Sequence, residues 1–388
     1  MAWILFVVAG LGVVLAAVQF LVLRLHLRAS RPEPCPLPPI SILKPLCGVD
    51  DDLAGNLASF AAIDYPSYEV LLGVRDPADP AWSVAQAAAL RWPGRFRTVL
   101  QRGEPGLNPK VNQLIGLAAA ARHEVLLVSD SNVRAPQGYL HDVARHLADP
   151  TVGLVTHPVG GVGEASLGSS LENLQAAAAV GPATVAARYL AGRDIVVGKS
   201  MALRRTDLKA MGGFESVRNV LAEDYVLGVK VTRTLGKRVA IGSVAIPAVS
   251  ERRSVEGFLS RYGRWCVMQR KIAGTPLYGA QALLYPLPFA LGGLALAPGP
   301  EALALTVLVW LAKAGLDGAT ARILRGTGFG ARVLWLSPLK DALFLVAWAR
   351  AFGVNTVEWR GNPLLVQAGS RLERVRDPAS EGALVLGR

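Results

Sequence analysis

Cysteine is scarce, with only Cys35, Cys47 and Cys266 in 388 residues, too scattered for a disulfide framework or a metal knuckle. Such usage suits a reducing cytoplasm. Acidic residues are also few, 29 against 41 lysines and arginines, which leaves a formal charge of +12. That balance raises nucleic acid as a partner. Yet the chain has no basic stripe with interleaved aromatics and no zinc-ligand or helix-turn-helix spacing, so no nucleic-acid partner is expected. Basic residues lie instead beside hydrophobic segments, where they fit anionic lipid headgroups. Internal repeats and low-complexity tracts are missing too, apart from a proline-rich stretch over residues 32–39 that reads as a stiff spacer.

Long apolar runs, by contrast, are present. Residues 2–23 are apolar apart from Gln19, long enough to cross a bilayer. A secretory leader would carry basic residues before the run and a small-residue cleavage site after it, and neither occurs. Arg24, His26, Arg28 and Arg31 follow, and the positive-inside rule places them in the cytoplasm with the N-terminus outside. Residues 277–297 and 303–311 read as a membrane hairpin around Pro298-Gly299-Pro300-Glu301. Residues 334–354 contain Lys340-Asp341, costly inside a span, so crossing and re-entrant placement both stay open.

Between these regions the periodicity alternates. Strands are expected at 40–46, 69–74, 96–100, 125–129, 152–156, 195–197, 201–203 and 239–241. Helices are expected at 51–63, 81–90, 109–121, 137–147, 167–190 (one or two, set against the membrane) and 223–234. Strands alternating with helices predict an α/β domain with a mainly parallel sheet covered on both faces. The organisation is then an anchor at 1–27, a linker at 28–39, a main domain with interfacial helices at 40–275, membrane segments at 276–355 and a tail at 356–388.

Chemistry concentrates where predicted elements end. The apolar run 125–129 stops at Asp130-Ser131-Asn132, and ligands in open α/β sheets bind beyond the carboxyl ends of strands. Asp130 suits a hard divalent cation, with Asn132 as a neutral second ligand, although an Asx-type turn explains the triplet equally well. Asp76 and Asp224 also close predicted elements. Asp76 precedes a proline, as in many turns, and Glu223-Asp224 fits the first turn of a helix. On a helix expected at 255–272, Arg261, Arg264 and Trp265 share one face. Two guanidinium groups and an indole suit a diphosphate beside a sugar or lipid headgroup, while an interfacial anchor is the plainer reading. His157 reads as a hydrogen-bonded structural histidine and Cys266 as packing.

Taken in order, these motifs resemble those of a known family. The carriers are Ile42-Leu43-Lys44-Pro45-Leu46 with Gly48-Val49-Asp50, then Asp64-Tyr65-Pro66-Ser67-Tyr68-Glu69-Val70-Leu71 and Asp79-Pro80-Ala81. Gly106-Leu107-Asn108-Pro109-Lys110-Val111-Asn112, Ser129-Asp130-Ser131, Ala222-Glu223-Asp224-Tyr225 and Arg261-x-x-Arg264-Trp265 complete the set. The chain resembles the processive-type inverting glycosyltransferases of GT-A fold and, more narrowly, the ceramide glucosyltransferase family. Bacterial members thought to glycosylate hopanoids belong there, and this alanine- and arginine-rich chain looks bacterial.

The resemblance implies a Rossmann-like GT-A domain with an N-terminal transmembrane helix and C-terminal membrane helices, facing the cytoplasm from a bacterial inner membrane. It implies transfer of one sugar from a UDP-sugar to a lipid hydroxyl, glucose to ceramide first and N-acetylglucosamine to a hopanoid polyol as the alternative. Asp76 would hold the uracil or ribose, Asp130 the Mg²⁺ or Mn²⁺, and Asp224 would be the general base. Arg261, Arg264 and Trp265 would cradle the diphosphate, with Lys44, Asn108 and Lys110 lining the nucleotide pocket. Asn132 stands where many relatives carry a second aspartate. A processive polysaccharide synthase and a non-catalytic sugar-nucleotide or lipid-binding protein are the rival functions.

Overall fold

The apolar run and the basic residues that follow it fold as one helix, α1 (Ala2–Arg28), in this computed structural model. The structure describes residues 1–29, 32–33, 35–49, 51–359 and 361–375. Arg31 of the basic flank, Pro34 of the linker, Asp50 of the glycine motif and the tail beyond residue 375 lie outside the described residues.

The domain follows the predicted alternation: β1 (Ile40–Pro45), α2 (Leu53–Ala61), β2 (Tyr68–Val74), α3 (Ala81–Arg91), β3 (Phe96–Leu100), α4 (Pro109–Ala120), β4 (Val125–Val128), α5 (Tyr139–Leu147) and β5 (Val152–Thr156). Every residue of β1, β2, β4 and β5 is buried, as strands covered on both faces require. Leu57, Phe60, Ala85 and Val143 from α2, α3 and α5 pack one face, against Ile42, Val70 and Leu127. Leu114 and Leu117 of α4 pack the other, against Leu43, Leu71 and Leu126.

After β6 (Val159–Val162), a reciprocal Ser166–Ser169 capping box starts α6 (Leu167–Gln175). A π-helical turn, Ala176–Val180, joins it to α7 (Gly181–Ala191). Pro182 lies at the start of α7 and cannot donate a helical hydrogen bond, which suits the wider turn before it. Residues 195–197, expected as a strand, run irregularly instead. Val197 donates to Thr156 Oγ1 (3.1 Å) and accepts from Ser200 N (3.1 Å), closing a turn rather than a ladder.

Next come β7 (Met201–Arg204), α8 (Arg205–Ala210), α9 (Glu223–Arg233), β8 (Arg238–Ile241) and β9 (Ile246–Val249). The main sheet has the order β3-β2-β1-β4-β7-β5-β8. It is parallel except for β7, which runs antiparallel between β4 and β5. This is the mainly parallel α/β sheet, covered on both faces, that the sequence led us to expect. Strands β6 and β9 make a small parallel sheet that the sequence reading did not contain. The reversed β7 matters for the site, because Met201 at its start pairs with Val128 at the end of β4. The loop entering β7 is thereby delivered to the carboxyl edge of the sheet, beside Asp130.

Ser254 caps α10 (Val255–Ala273), which carries Arg261, Arg264 and Trp265. Beyond it lie α11 (Thr275–Ala280), α12 (Pro286–Leu296), α13 (Pro300–Arg325) and α14 (Val333–Arg350). Helices α1 and α13 are long and apolar enough to cross a membrane, and Thr275–Leu284 with Pro286–Leu296, bent by 75°, would make a third span. Phe6 and Ala9 of α1 pack on Ala290, Ala302 and Val309, with small residues allowing close approach. In α14, Lys340 and Asp341 are buried but paired. Lys313 lies 2.6 Å from Asp317 and 3.3 Å from Asp341, and Lys340 lies 3.3 Å from Asp317. Pairing of this kind is what makes buried charge tolerable. Within the stretch read from sequence as a tail, β10 (Thr356–Trp359), β11 (Asn362–Val366) and β12 (Leu372–Arg374) form an antiparallel sheet.

The seat of α10 on α6 yields a test. A methyl at Gly168 would collide with the backbone of Arg253 and Ser254, which cannot move aside as a flexible side chain would. Gly168→Ala should lower stability by about 1–3 kcal/mol, the usual cost of overpacking. Thermal unfolding of the detergent-solubilised variant at the wild-type midpoint would show that this contact is not tight.

Candidate active site

The end of β4 is held from beneath. Lys44 of β1 is buried, lies 3.8 Å from the centre of the Phe60 ring, and donates to Ser129 Oγ (3.2 Å) and the Asp130 carbonyl (2.8 Å). It therefore braces the backbone of Asp130. Asn108 is likewise a scaffold residue. Its Oδ1 caps α4 by accepting from Val111 N (3.0 Å), while its Nδ2 donates to Val220 O (2.7 Å) and Glu223 Oε2 (3.2 Å).

Two residues past that cap, Lys110 stands at the centre of the cluster. Its Nζ lies 2.9 Å from Asp130 Oδ1, 3.0 Å from Glu223 Oε1 and 3.2 Å from Gly198 O. Glu223 and Asp224 form the first turn of α9, and the loop before β7 reaches them. Gly198 N donates to Asp224 Oδ2 (2.7 Å), and Tyr225 N donates to Oδ1 (2.7 Å). A Cβ at Gly198 would lie 2.7 Å from Lys110 Nζ and 3.0 Å from Asp224 Oδ2, so glycine permits this approach. Lys199 Nζ donates to Asn132 Oδ1 (2.7 Å) and lies 3.8 Å from Asp130 Oδ2.

This geometry sets the charge states. Burial pushes the Asp224 carboxyl up and Glu223 adds to it, against Lys110 and two backbone donors, to about 7. Burial also pushes Asp130 up, but Lys110 and Lys199 outweigh it and hold that carboxyl below its ordinary value. For Lys110 burial favours the neutral amine, yet Asp130, Glu223 and Asp224 prevail and raise it. One carboxylate thus stays charged between two ammonium groups, while its neighbour can take and release a proton near neutrality. That division suits anion binding beside proton abstraction.

Other residues singled out in the sequence are placed differently. Asp76 lies exposed beyond β2, where its Oδ1 accepts from Ala78 N (2.6 Å) as in an Asx turn. Arg261 donates to the buried Glu172 of α6 (2.7 Å), with Arg253 paired to the same carboxylate. The Arg264 guanidinium lies 6.0 Å from the Trp359 ring centre, and Trp265 meets Tyr262 edge-on at 5.5 Å. His157 is buried between Ser200 Oγ (2.7 Å) and Asp142 Oδ2 (3.2 Å), as its structural reading anticipated.

Gly198 and Lys199 were not singled out from the sequence. Their one signal was a Gly-Lys-Ser triplet in an otherwise apolar stretch. As for a metal, no group of three or more His, Cys, Asp or Glu side chains is gathered to hold one among the described residues. Asp130 alone fits the mode in which one carboxylate shares Mg²⁺ or Mn²⁺ with ligand phosphates. Asn132 fits less well, because its Oδ1 takes Lys199 and its Nδ2 donates to Val249 O (2.9 Å).

The chain matches a family model described as glycosyl transferase family 21 over residues 4–372. Ceramide glucosyltransferase 1 of Caenorhabditis elegans is 30% identical over 248 residues, 62% of this chain and 52% of the worm protein. Ceramide glucosyltransferase of Komagataella phaffii is 31% identical over 120 residues, 29% of this chain and 24% of that protein. The chain thus spans about half the length of the worm relatives it matches. Among solved structures, the mannosyltransferase PcManGT from Pyrobaculum calidifontis, in complex with GDP-Man and Mn²⁺, has a TM-score of 0.47 at 18% identity, covering 89% of this chain and 99% of that one. Staphylococcus aureus TarS 1–349 has a TM-score of 0.39 at 15% identity, covering 87% of this chain and 100% of that one.

Removing the central cation tests the electrostatics. Lys110→Met leaves Asp130 and Glu223 without their shared partner, and breaking a buried ion pair costs about 3–5 kcal/mol. With burial then less opposed, the Asp130 carboxyl pKa should rise above its unfolded value, so the folded form binds more protons and the deficit grows as pH rises from 5 to 8. A deficit that stays constant over that range would contradict this account.

Proposed function

The chain belongs to glycosyl transferase family 21, and from that premise we propose that it moves a single sugar from a UDP-sugar to the hydroxyl of a membrane lipid. The observation that carries this reading is Asp224, pushed up to about 7 and aimed by Gly198 N, next to the ammonium-flanked Asp130. Asp224 takes the proton of the acceptor hydroxyl as that oxygen attacks the anomeric carbon in line, inverting it. Lys110 and Lys199 neutralise charge as the UDP departs. A divalent cation, Mg²⁺ or Mn²⁺, held by Asp130 would add Lewis-acid charge at the same diphosphate.

Further roles follow from placement. Asp76, at the same edge of the sheet, serves the uracil or ribose. Arg261, bound to Glu172, braces α10, and Arg264 with Trp265 serves the donor and acceptor. A lipid acceptor is supported by the short path from site to membrane helix. The Tyr189 hydroxyl of α7 lies 3.0 Å from Nδ1 of His26 near the end of α1, and the chain from Tyr189 leads directly to Gly198. The names of the worm and yeast relatives favour glucose and ceramide. Arg24 and Arg28, in the last two turns of α1 behind its apolar run, favour a cytoplasmic domain, and the alanine- and arginine-rich composition favours a bacterial inner membrane.

Two measurements test this. Asp224→Asn should retain UDP-sugar affinity and thermal stability while transfer to lipid falls by roughly 10²–10⁴-fold. In the wild type, turnover should decline below pH 7, because the protonated carboxyl cannot act as a base. Near wild-type transfer by a folded Asp224→Asn protein would sink the mechanism. Asp130→Ala, like chelation of the wild type, should abolish turnover and weaken UDP binding. Metal-dependent UDP affinity that survives in Asp130→Ala would remove that residue from the metal site.

A further inference from the structure

Helix α9 has no cap of its own. Its N-cap residue is Ala222, whose methyl accepts nothing, although the base Asp224 sits in the first turn. The missing partner arrives from the far end of the chain. Ala222 N donates to Ser370 Oγ (2.8 Å), and Leu221 N donates to Ser370 O (2.8 Å). Leu372 N donates to Asn219 O (2.8 Å), extending the contact along the loop. On its other flank, the same loop is held by the cap of α4. Asn108 N donates to Arg218 O (2.9 Å), Asn108 Nδ2 to Val220 O (2.7 Å) and Leu107 N to Asn219 Oδ1 (2.9 Å).

Ser370 is built for this place. It is fully buried in the turn between β11 and β12 and has a left-handed φ of 66°, directly after Gly369, also at 66°. A non-glycine residue in that region is costly and persists where surrounding contacts over-determine it. The turn is closed by Gln367 N to Arg371 O (2.8 Å) and Ser370 N to Gln367 O (3.1 Å). The same sheet reaches α10 through Trp359, near the guanidinium of Arg264. One small sheet thus touches the start of α9 and the middle of α10.

We propose that Ser370 is a positioning residue for Asp224. Its hydroxyl and carbonyl hold Leu221 and Ala222, fix the first turn of α9, and keep the Asp224 carboxylate in register with Gly198 N. The proposal rests on the reading of Asp224 as the base. A carboxylate displaced by a fraction of an ångström remains a carboxylate but no longer meets the acceptor proton in line. It also loses the Gly198 hydrogen bond that opposes its upward shift.

The test uses full-length protein in membranes and two substitutions. Ser370→Ala removes the hydroxyl and keeps the left-handed strain, whereas Ser370→Gly removes the hydroxyl and relieves the strain. Both should lower kcat by about tenfold, leave the donor KM unchanged, and move the acid limb of the kcat profile to higher pH. Ser370→Gly should do so without a lower melting temperature. A merely structural role would reduce the folded fraction and leave the limb and the specific activity of that fraction in place. That result, or wild-type kcat and limb in both variants, overturns the proposal. Asp224→Asn measured alongside separates the two failures. An inactive Asp224→Asn with normal Ser370 variants removes only the clamp, while an active Asp224→Asn removes the base and the clamp together.

Discussion

A buried ammonium holds the site together. Lys110 ties α4 to β4 through Asp130, to α9 through Glu223 and to the loop before β7 through Gly198 O. Without it, Asp130, Glu223 and Asp224 would face one another uncompensated inside the protein, and burial would favour the protonated forms of Asp130 and Asp224. With it they differ in kind. Asp130 stays charged, and Asp224, one residue beyond the paired Glu223, rises to about 7. Two aspartates around one lysine thereby take opposite charge tendencies, one held ionised and one able to carry a proton near neutrality.

That arrangement depends on the reversed strand. Had β7 run parallel to β4, the loop before it would lie at the opposite edge, and neither Gly198 nor Lys199 could meet Asp224 and Asp130. Helix α1, apolar enough to cross a membrane, is tied to the same region. His26 Nε2 lies 3.1 Å from Gly242 O, and Leu23 packs with Val185, Ile241 and Leu324. The linker too is fastened, by Tyr65 hydroxyl to Pro38 O (2.7 Å), so it is less of a free spacer than its proline content implies. The domain is docked on α1, with α7 leading from that junction towards the site.

Much of this is legible in the sequence. Full burial of β1, β2, β4 and β5 follows from short apolar runs, and Asn108-Pro109 marks the start of α4 because an Asn cap followed by proline is a local signal. The Arg-x-x-Arg-Trp face was correctly placed on a helix. Its partners were not predictable, since nothing near Arg261 announces Glu172, and nothing near Arg264 announces Trp359. Residues 195–197 failed as a strand for a related reason. Their β-branched character favours a ladder, but Thr156 Oγ1 and Ser200 take the hydrogen bonds that a ladder would need.

The sequence by itself determined what depends on neighbours along the chain: the apolar length of α1, the strand–helix alternation, the caps of α4 and α10, and the polar stop at Asp130. These are set by periodicity and by side chains bonding backbone a few residues away. Tertiary structure alone decided which way β7 runs, which carboxylate is charged, that Asn132 answers Lys199, and that Ser370 caps α9. Each is a contact between residues far apart in the chain. Charge and hydrogen bonding there depend on distance and burial, which exist only once the sheet has brought those residues together.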